Sequence, residues 1–163
     1  MEMFDKELET IAVLDEEAES ICRWAAARAG VIVIVPVIGS ISLMANEIYL
    51  LMRLAKLYDV KLSESAMFSF VASIAGTVIG QTMATMIPFP PLQIPIAVSV
   101  TYAIGKVGGM WIKDGMPKDM SHYIQSFEDI KKLAKGKVGE LLENPLKNTP
   151  LGDESKKFDL WKK

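Results

Sequence analysis

Apolar positions recur along this chain at helical steps almost from its start. Phe4, Leu8, Ile11, Ala12, Ala18, Ile21 and Ala25 fall three or four residues apart with acids between them, and this predicts a helix from Phe4 to Ala29. Asp15-Glu16-Glu17 reads as its solvated face rather than as a break. Charges then vanish from Ala29 to Asn46, a run broken at Val35-Pro36-Val37-Ile38-Gly39-Ser40. Pro36 is expected to end the first helix, Gly39 to supply a permissive turn and Ser40 to cap a second helix over Ile41–Tyr58. Asp59 to Ser65 is a short polar connection in which Ser63 can cap a third helix.

The next stretch dominates the chain. The 41 residues from Ser65 to Gly105 contain no Asp, Glu, Lys, Arg or His. Ile87-Pro88-Phe89-Pro90-Pro91 divides them, and no single helix can cross it, because each proline lacks an N–H and clashes with the preceding turn. The pattern therefore predicts two apolar arms, 66–86 and 92–112, joined at a proline-rich tip. The first arm would reach roughly 33 Å, about the thickness of a bilayer's hydrocarbon core. The earlier turn at Pro36 makes a second, shallower hairpin, with roughly 10 Å of uncharged helix between Arg28 and the proline. Small residues recur every four positions on both long arms, at Ala72, Gly76, Gly80 and Ala84 and at Ala97, Thr101, Gly105 and Gly109. That spacing predicts close packing of one arm on the other. A ligand groove lined by Thr77, Gln81 and Thr101 is the functional alternative.

Beyond Gly109 the chain turns at Lys113-Asp114-Gly115-Met116-Pro117. Ser121 can cap a last amphipathic helix to about Asn144, with Tyr123, Phe127, Ile130, Ala134, Val138 and Leu141 on its apolar side. Residues 145–163, rich in Pro, Gly and charge, are expected to form a loosely ordered tail, apart from a short stretch around Phe158 to Trp161. The expected architecture is all-α. A single domain over 1–144 holds two proline-tipped helical hairpins, with tips at Pro36, Gly39, Pro88, Phe89, Pro90 and Pro91, plus amphipathic N- and C-terminal helices.

Composition sharpens this picture in three ways. Hydrophobic residues make up 50% of 163 residues, near the upper edge of soluble usage, and the mean hydropathy of +0.25 lies beyond the slightly negative value expected of a soluble protein. The formal net charge of −2 gives no basic face for nucleic acid. One cysteine, Cys22, excludes an intramolecular disulfide and suits a reducing compartment. Charge is unevenly spread: eight acids and one lysine in the first twenty residues, eleven lysines against nine acids from Lys113 onward. The acidic opening Met1-Glu2-Met3-Phe4-Asp5-Lys6-Glu7 is unlike a secretory signal, and neither end carries a lipidation pattern.

Catalytic motifs are missing from the pattern. No phosphate-binding loop is present, since Gly76 to Thr82 has no Lys and Gly105-Lys106 is followed by Val. No Cys/His cluster suits zinc, no nucleophile has a base in a recognisable motif, and His122 at a helix start reads as a surface residue. The expectation is a protein without catalytic, cofactor-binding or metal-binding residues. Two side chains stand out as buried polar candidates, Gln81 and Glu47. Burial of Glu47 would raise its pKa, or Arg53 or Arg28 would pair with it; alternatively it is a carboxylate at the water boundary.

The residues Val35-Pro36-Val37-Ile38-Gly39-Ser40, then 51–64, then Met86-Ile87-Pro88-Phe89-Pro90-Pro91 and Ala97 to Val107 resemble the bacterial domain-of-unknown-function family numbered 697. The likeness covers about residues 20–112 and rests on turn and packing motifs. Ile41 and Ser42 stand where relatives often place an acid. The resemblance implies a membrane-associated helical domain of unknown activity, often linked to GTPase-like proteins, which would be the protein partner.

These features support three functional expectations. The first is a non-catalytic helical-hairpin module at the cytoplasmic membrane, contacting lipid through its tips and a protein partner elsewhere, with both ends on the cytoplasmic side. Apolar tips motivate it, and Arg53, Lys56, Lys61, Lys106 and Lys113 flank the hairpins' open side. The second is a soluble helical bundle, dimeric or bound to another protein, with 66–86 as its central helix. The third, an enzyme or transporter, is opposed by how little four arms enclose and by a first hairpin too short to span. The opposite signs and matching stripes of the terminal helices further predict that Leu8, Ile11 and Leu14 pair with Tyr123, Phe127 and Ile130.

Overall fold

A computed structural model describes the backbone of residues 1–35, 38–84 and 89–158, and the side-chain surroundings of 1–35, 41–74 and 89–158. Among these residues the chain is all-helical: α1 Glu2–Ile32, α2 Ile38–Leu57, α3 Glu64–Ala84, α4 Pro90–Lys113, α5 Ser121–Lys135 and α6 Val138–Leu142. The Asp15-Glu16-Glu17 run lies inside α1 without a break. Gly39 and Ser40, expected as a turn and a cap, lie within the first turn of α2. Ser63 does cap α3, its hydroxyl accepting the Ala66 N–H at 3.1 Å. Pro90 and Pro91 open α4, where the N–H they lack has no helical partner anyway. The predicted last helix is two helices, α5 and α6, separated at Gly136. At the head of α5, Asp119 rather than Ser121 supplies the accepting oxygen, taking the Ser121 N–H at 3.0 Å.

Helix α4 is the centre of the molecule, packed against α1 and α5 and touching α2, α3 and α6 as well. It runs antiparallel to α1. Ala97 meets Ala29 and Val33 at one end, Gly105 meets Cys22 midway, and Lys113 meets Asp15 at the other. Of the expected packing of the two long arms through their small residues, only the α4 ladder and Ala72 fall among the residues whose surroundings are described. The α4 ladder of Ala97, Thr101, Gly105 and Gly109 is turned largely toward α1 and α2, and Ala72 on α3 is exposed. The described contact of α3 with α4 is instead aromatic, with Phe70 stacked on Trp111 at 4.8 Å between ring centroids. Gly76, Gly80, Gln81 and Ala84 belong to α3, but their surroundings lie outside the described residues, as do Pro36 and Pro88.

The terminal helices also pair differently from the expectation. Tyr123 and Phe127 are buried, but against α4, whose C-terminal Asp114 accepts the Tyr123 hydroxyl at 2.6 Å. Leu8 and Ile11 remain exposed. It is the later half of α1 that meets α6, through Arg23–Glu140 at 2.9 Å and through Gly30 beside Leu142.

Residues 145–158, expected to be loose, form a strap over α1 and α2. Trp24 and Arg53 donate to the carbonyls of Thr149 and Leu151 at 2.8 and 2.7 Å, and Leu151 is buried. Arg28 holds Glu154 at 2.5 and 2.7 Å, and Phe158 meets Tyr49 and Phe68 edge-on. Asp159 to Lys163, including Trp161, lie outside the described residues.

Two glycines of one α4 face make the packing testable. A Cβ on Gly105 would lie 2.7 Å from the Cys22 sulfur and 3.1 Å from Leu50, whereas one on Gly109 would meet only Tyr58 at 4.0 Å. Gly105→Ala is expected to destabilise by about 1–3 kcal/mol through overpacking. Gly109→Ala, which gains helix propensity without a clash, is expected to be neutral or stabilising by up to about 1 kcal/mol. Urea unfolding of the two variants checks the contrast.

Candidate functional site

Two places on the molecule have the character of a site, and they lie at opposite ends of the α1–α4 pair. The first is the pole where α1 ends and α4 begins. Gly30 brings them together there: a Cβ on it would lie 2.6 Å from Leu142 and 2.9 Å from Val98. Ala29, Val33 and Ala97 form a small core, with Leu43 of α2 and Ile94 of α4 packed against it. Beyond that core Ile34 and Val35 on one side, and Phe89 and Leu92 on the other, are exposed large hydrophobics. The described residues beside the two predicted tips thus share one pole, because antiparallel packing of α1 on α4 puts the end of α1 beside the start of α4.

This pole is uncharged to a depth that each helix sets separately. Glu143 follows Leu142, which lies against Gly30, while on the three helices α1, α2 and α4 the first charges are Arg28, Glu47 and Lys106. At 1.5 Å per residue these lie about 10 Å below Val35, about 14 Å below Ile38 and about 24 Å below Pro90. The shallowest limit is reinforced by the strap, since Arg28 is paired with Glu154 and also donates to the Lys147 carbonyl at 3.2 Å. Among the described residues no helix is long and apolar enough to cross a membrane. Of the tip residues named from sequence, Phe89, Pro90 and Pro91 are exposed, while Gly39 is helical in backbone.

Glu47 stands below the pole on α2. It is half-buried, and burial alone pushes its carboxyl up to about 8. Neither arginine offered as its partner reaches it, because Arg28 is held by Glu154 and Arg53 by the Leu151 carbonyl. Its neighbour Asn46 is fully buried and donates to the Ala25 carbonyl at 3.0 Å. Thr101, proposed from sequence as a groove residue, is fully buried, and its hydroxyl has no hydrogen-bond partner among the described residues.

The second place is a cleft of about 160 Å³ between α1, the end of α2 and the last turns of α4. Its rim is a chain of paired charges. Lys113 and Tyr58 both donate to Asp15 Oδ1, at 3.1 and 3.0 Å. Lys106 donates to Glu19 Oε2 at 2.6 Å, while Tyr102 and Arg23 share its Oε1 at 2.6 and 2.9 Å. The hydrogen bond from Lys113 holds Asp15 below the usual carboxylate range. Burial pushes Glu19 upward, but the bonds from Lys106 and Tyr102 outweigh it and leave that carboxyl lowered. Burial and their carboxylate partners raise the phenols of Tyr58 and Tyr102.

Cys22 lies at the floor of the cleft beside Gly105, its thiol pushed up to about 12 by burial. At neutral pH it is a packed thiol, not a nucleophile. Every rim carboxylate is occupied by a cation, so the cleft clasps α1 to α4 and presents no free base. Sequence reasoning missed it because its bonds between α1 and α4 join residues 83 to 98 apart; the spacing of Asp15, Glu19 and Arg23 on one helix and Lys106 and Lys113 on another was the available signal. Among the described residues no group of His, Cys, Asp and Glu is placed to hold a metal ion. His122 is exposed and lies edge-on to Tyr123.

Comparison of the chain with family models, with curated proteins and with solved structures finds no match.

The state of Glu47 gives a pH dependence. Its folded pKa, about 8, exceeds the ordinary 4.5, so the folded protein binds more protons between those values and stability falls as pH rises through that window. Glu47→Gln removes the charge and is expected to raise the melting temperature at pH 9 while changing it little at pH 5. Melting curves of the two proteins at both pH values check this.

Proposed function

We propose that the protein is a non-catalytic helical module that sits on a membrane by inserting its apolar pole, leaving the rest of the bundle for protein contacts. The observation that carries this reading is the meeting of both chain reversals at one uncharged end, with Ile34, Val35, Phe89 and Leu92 exposed there. A surface loop of a water-bound domain is ordinarily polar. The Arg28–Glu154 pair marks a natural stop about 10 Å below Val35, the depth that interfacial helices reach at the headgroup–acyl boundary. Insertion from one side therefore suits the charge pattern better than a crossing does.

The resemblance of residues 20–112 to the family numbered 697 agrees with membrane association and adds a GTPase-like protein as the partner to test. A location at the cytoplasmic membrane, with both ends on the cytoplasmic side, is part of the same proposal. Its non-catalytic character is supported by the cleft, where carboxylates and cations are mutually occupied and the thiol is buried.

Flotation on a density gradient tests the reading with the full chain and vesicles of phosphatidylcholine and phosphatidylglycerol. The wild-type protein is expected to float. Phe89→Asp combined with Leu92→Asp, both at exposed positions, is expected to stay in the dense fractions with an unchanged helical spectrum and melting curve. A wild-type protein that remains in the dense fractions as a detergent-free species overturns the proposal in favour of a soluble helical bundle.

A further inference from the structure

The opposite end of the molecule carries a surface of its own. Asp15 is paired with Lys113 near the end of α4, and all of residues 1–13 are exposed. At 1.5 Å per residue, about 20 Å of helix projects past the end of the bundle. The overhang is not uniformly polar. Phe4, Leu8 and Ile11 are 64%, 50% and 48% exposed.

These three positions continue the seam that α1 uses inside the bundle. Phe4, Leu8, Ile11, Asp15, Ala18, Cys22, Ala25 and Ala29 are spaced at steps of four and three throughout, the spacing of a coiled-coil seam. From Ala18 onward the seam is buried, and at Asp15 it meets Lys113. Below Asp15 the same seam has larger side chains, and none of the described residues buries it. A helix laid there would occupy the line along which α4 would run if it were longer.

Charge decides which occupant fits. On this register Asp5 and Glu7 flank the seam, and the first eleven residues hold Glu2, Asp5, Glu7 and Glu9 against Lys6 alone. A second copy of the overhang would set two acidic segments side by side, and like charges at flanking positions oppose pairing. An anionic lipid surface is disfavoured by the same acids. A helix with an apolar seam flanked by Lys or Arg meets both demands, because flanking charges set partner choice in such pairs.

We infer that residues 1–14 form a docking helix for a protein partner that presents an apolar heptad seam flanked by basic residues. The site lies at the pole away from the tips, so it is independent of membrane binding and can be tested without lipid.

The probe is a synthetic three-heptad helix with Leu at the seam and Lys at the flanking positions, titrated calorimetrically into the full-length protein. Saturable one-to-one binding is expected, with none for the same peptide carrying Glu at the flanks. Leu8→Glu adds a negative charge but removes an apolar anchor, and is expected to weaken binding at least about tenfold. Leu8 is exposed, so the melting curve of this variant should match the wild type. Unchanged or tighter binding by Leu8→Glu means non-specific charge attraction and overturns the proposal. So does a wild-type dimer in light scattering that Leu8→Glu converts to a monomer, since the seam's occupant is then a second copy.

Discussion

Everything in this molecule depends on how closely α1 and α4 approach one another. The approach is made by small residues, with Ala25, Ala26 and Ala29 on α1 fully buried and Gly105 set against Cys22 with no room for a methyl group. Packing of this kind fixes register along both helices, because a shift of one turn would set bulky side chains where glycine now lies. Register in turn decides which groups can meet. It places Lys106 and Lys113 opposite Glu19 and Asp15, and it brings the end of α1 level with the start of α4. The apolar pole, the charged clasp and the overhang are three consequences of one antiparallel contact.

The distribution of charge follows the same axis. The pole with the α1–α2 and α3–α4 connections is uncharged, the middle carries the Arg28–Glu154 pair, and the far end holds Asp15–Lys113 and the acidic overhang. The rim pairs are partly exposed, so each contributes little energy, on the order of 0–1 kcal/mol. Their effect is directional. They gather charge toward one end of the α1–α4 pair, and the strap from Leu146 to Phe158 adds charge on the flank of α1 and α2.

Much of this was legible in the sequence, because a helix announces itself through spacing and proline. The helix positions and the apolar connections are set by the uncharged runs and by Pro90 and Pro91. What periodicity cannot reveal is which small-residue ladder faces which. Ala97, Thr101, Gly105 and Gly109 would fit against α3 equally well by spacing, and only the three-dimensional arrangement turns them to α1 and α2. The strap escaped for a related reason. Its anchors are backbone carbonyls, which have no sequence signature, held by Trp24 and Arg53 from helices a hundred residues away. At the candidate site the exposed tip residues were readable from composition. The clasp was not, since its pairs join distant segments, and the isolation of Glu47 emerged only once both nearby arginines were seen to be engaged elsewhere.

Whether the uncharged end of the bundle enters a membrane as proposed, to a depth set by Arg28, is read by a depth measurement. A nitroxide attached at Phe89→Cys, with a second protein labelled at Asp114→Cys, is read by collision with oxygen and with a water-soluble nickel chelate on vesicles. The account predicts a label at 89 about 5–10 Å below the lipid phosphates and a label at 114 fully in water. A label at 89 that is as accessible to nickel as the one at 114, or one that lies at the far leaflet, contradicts it.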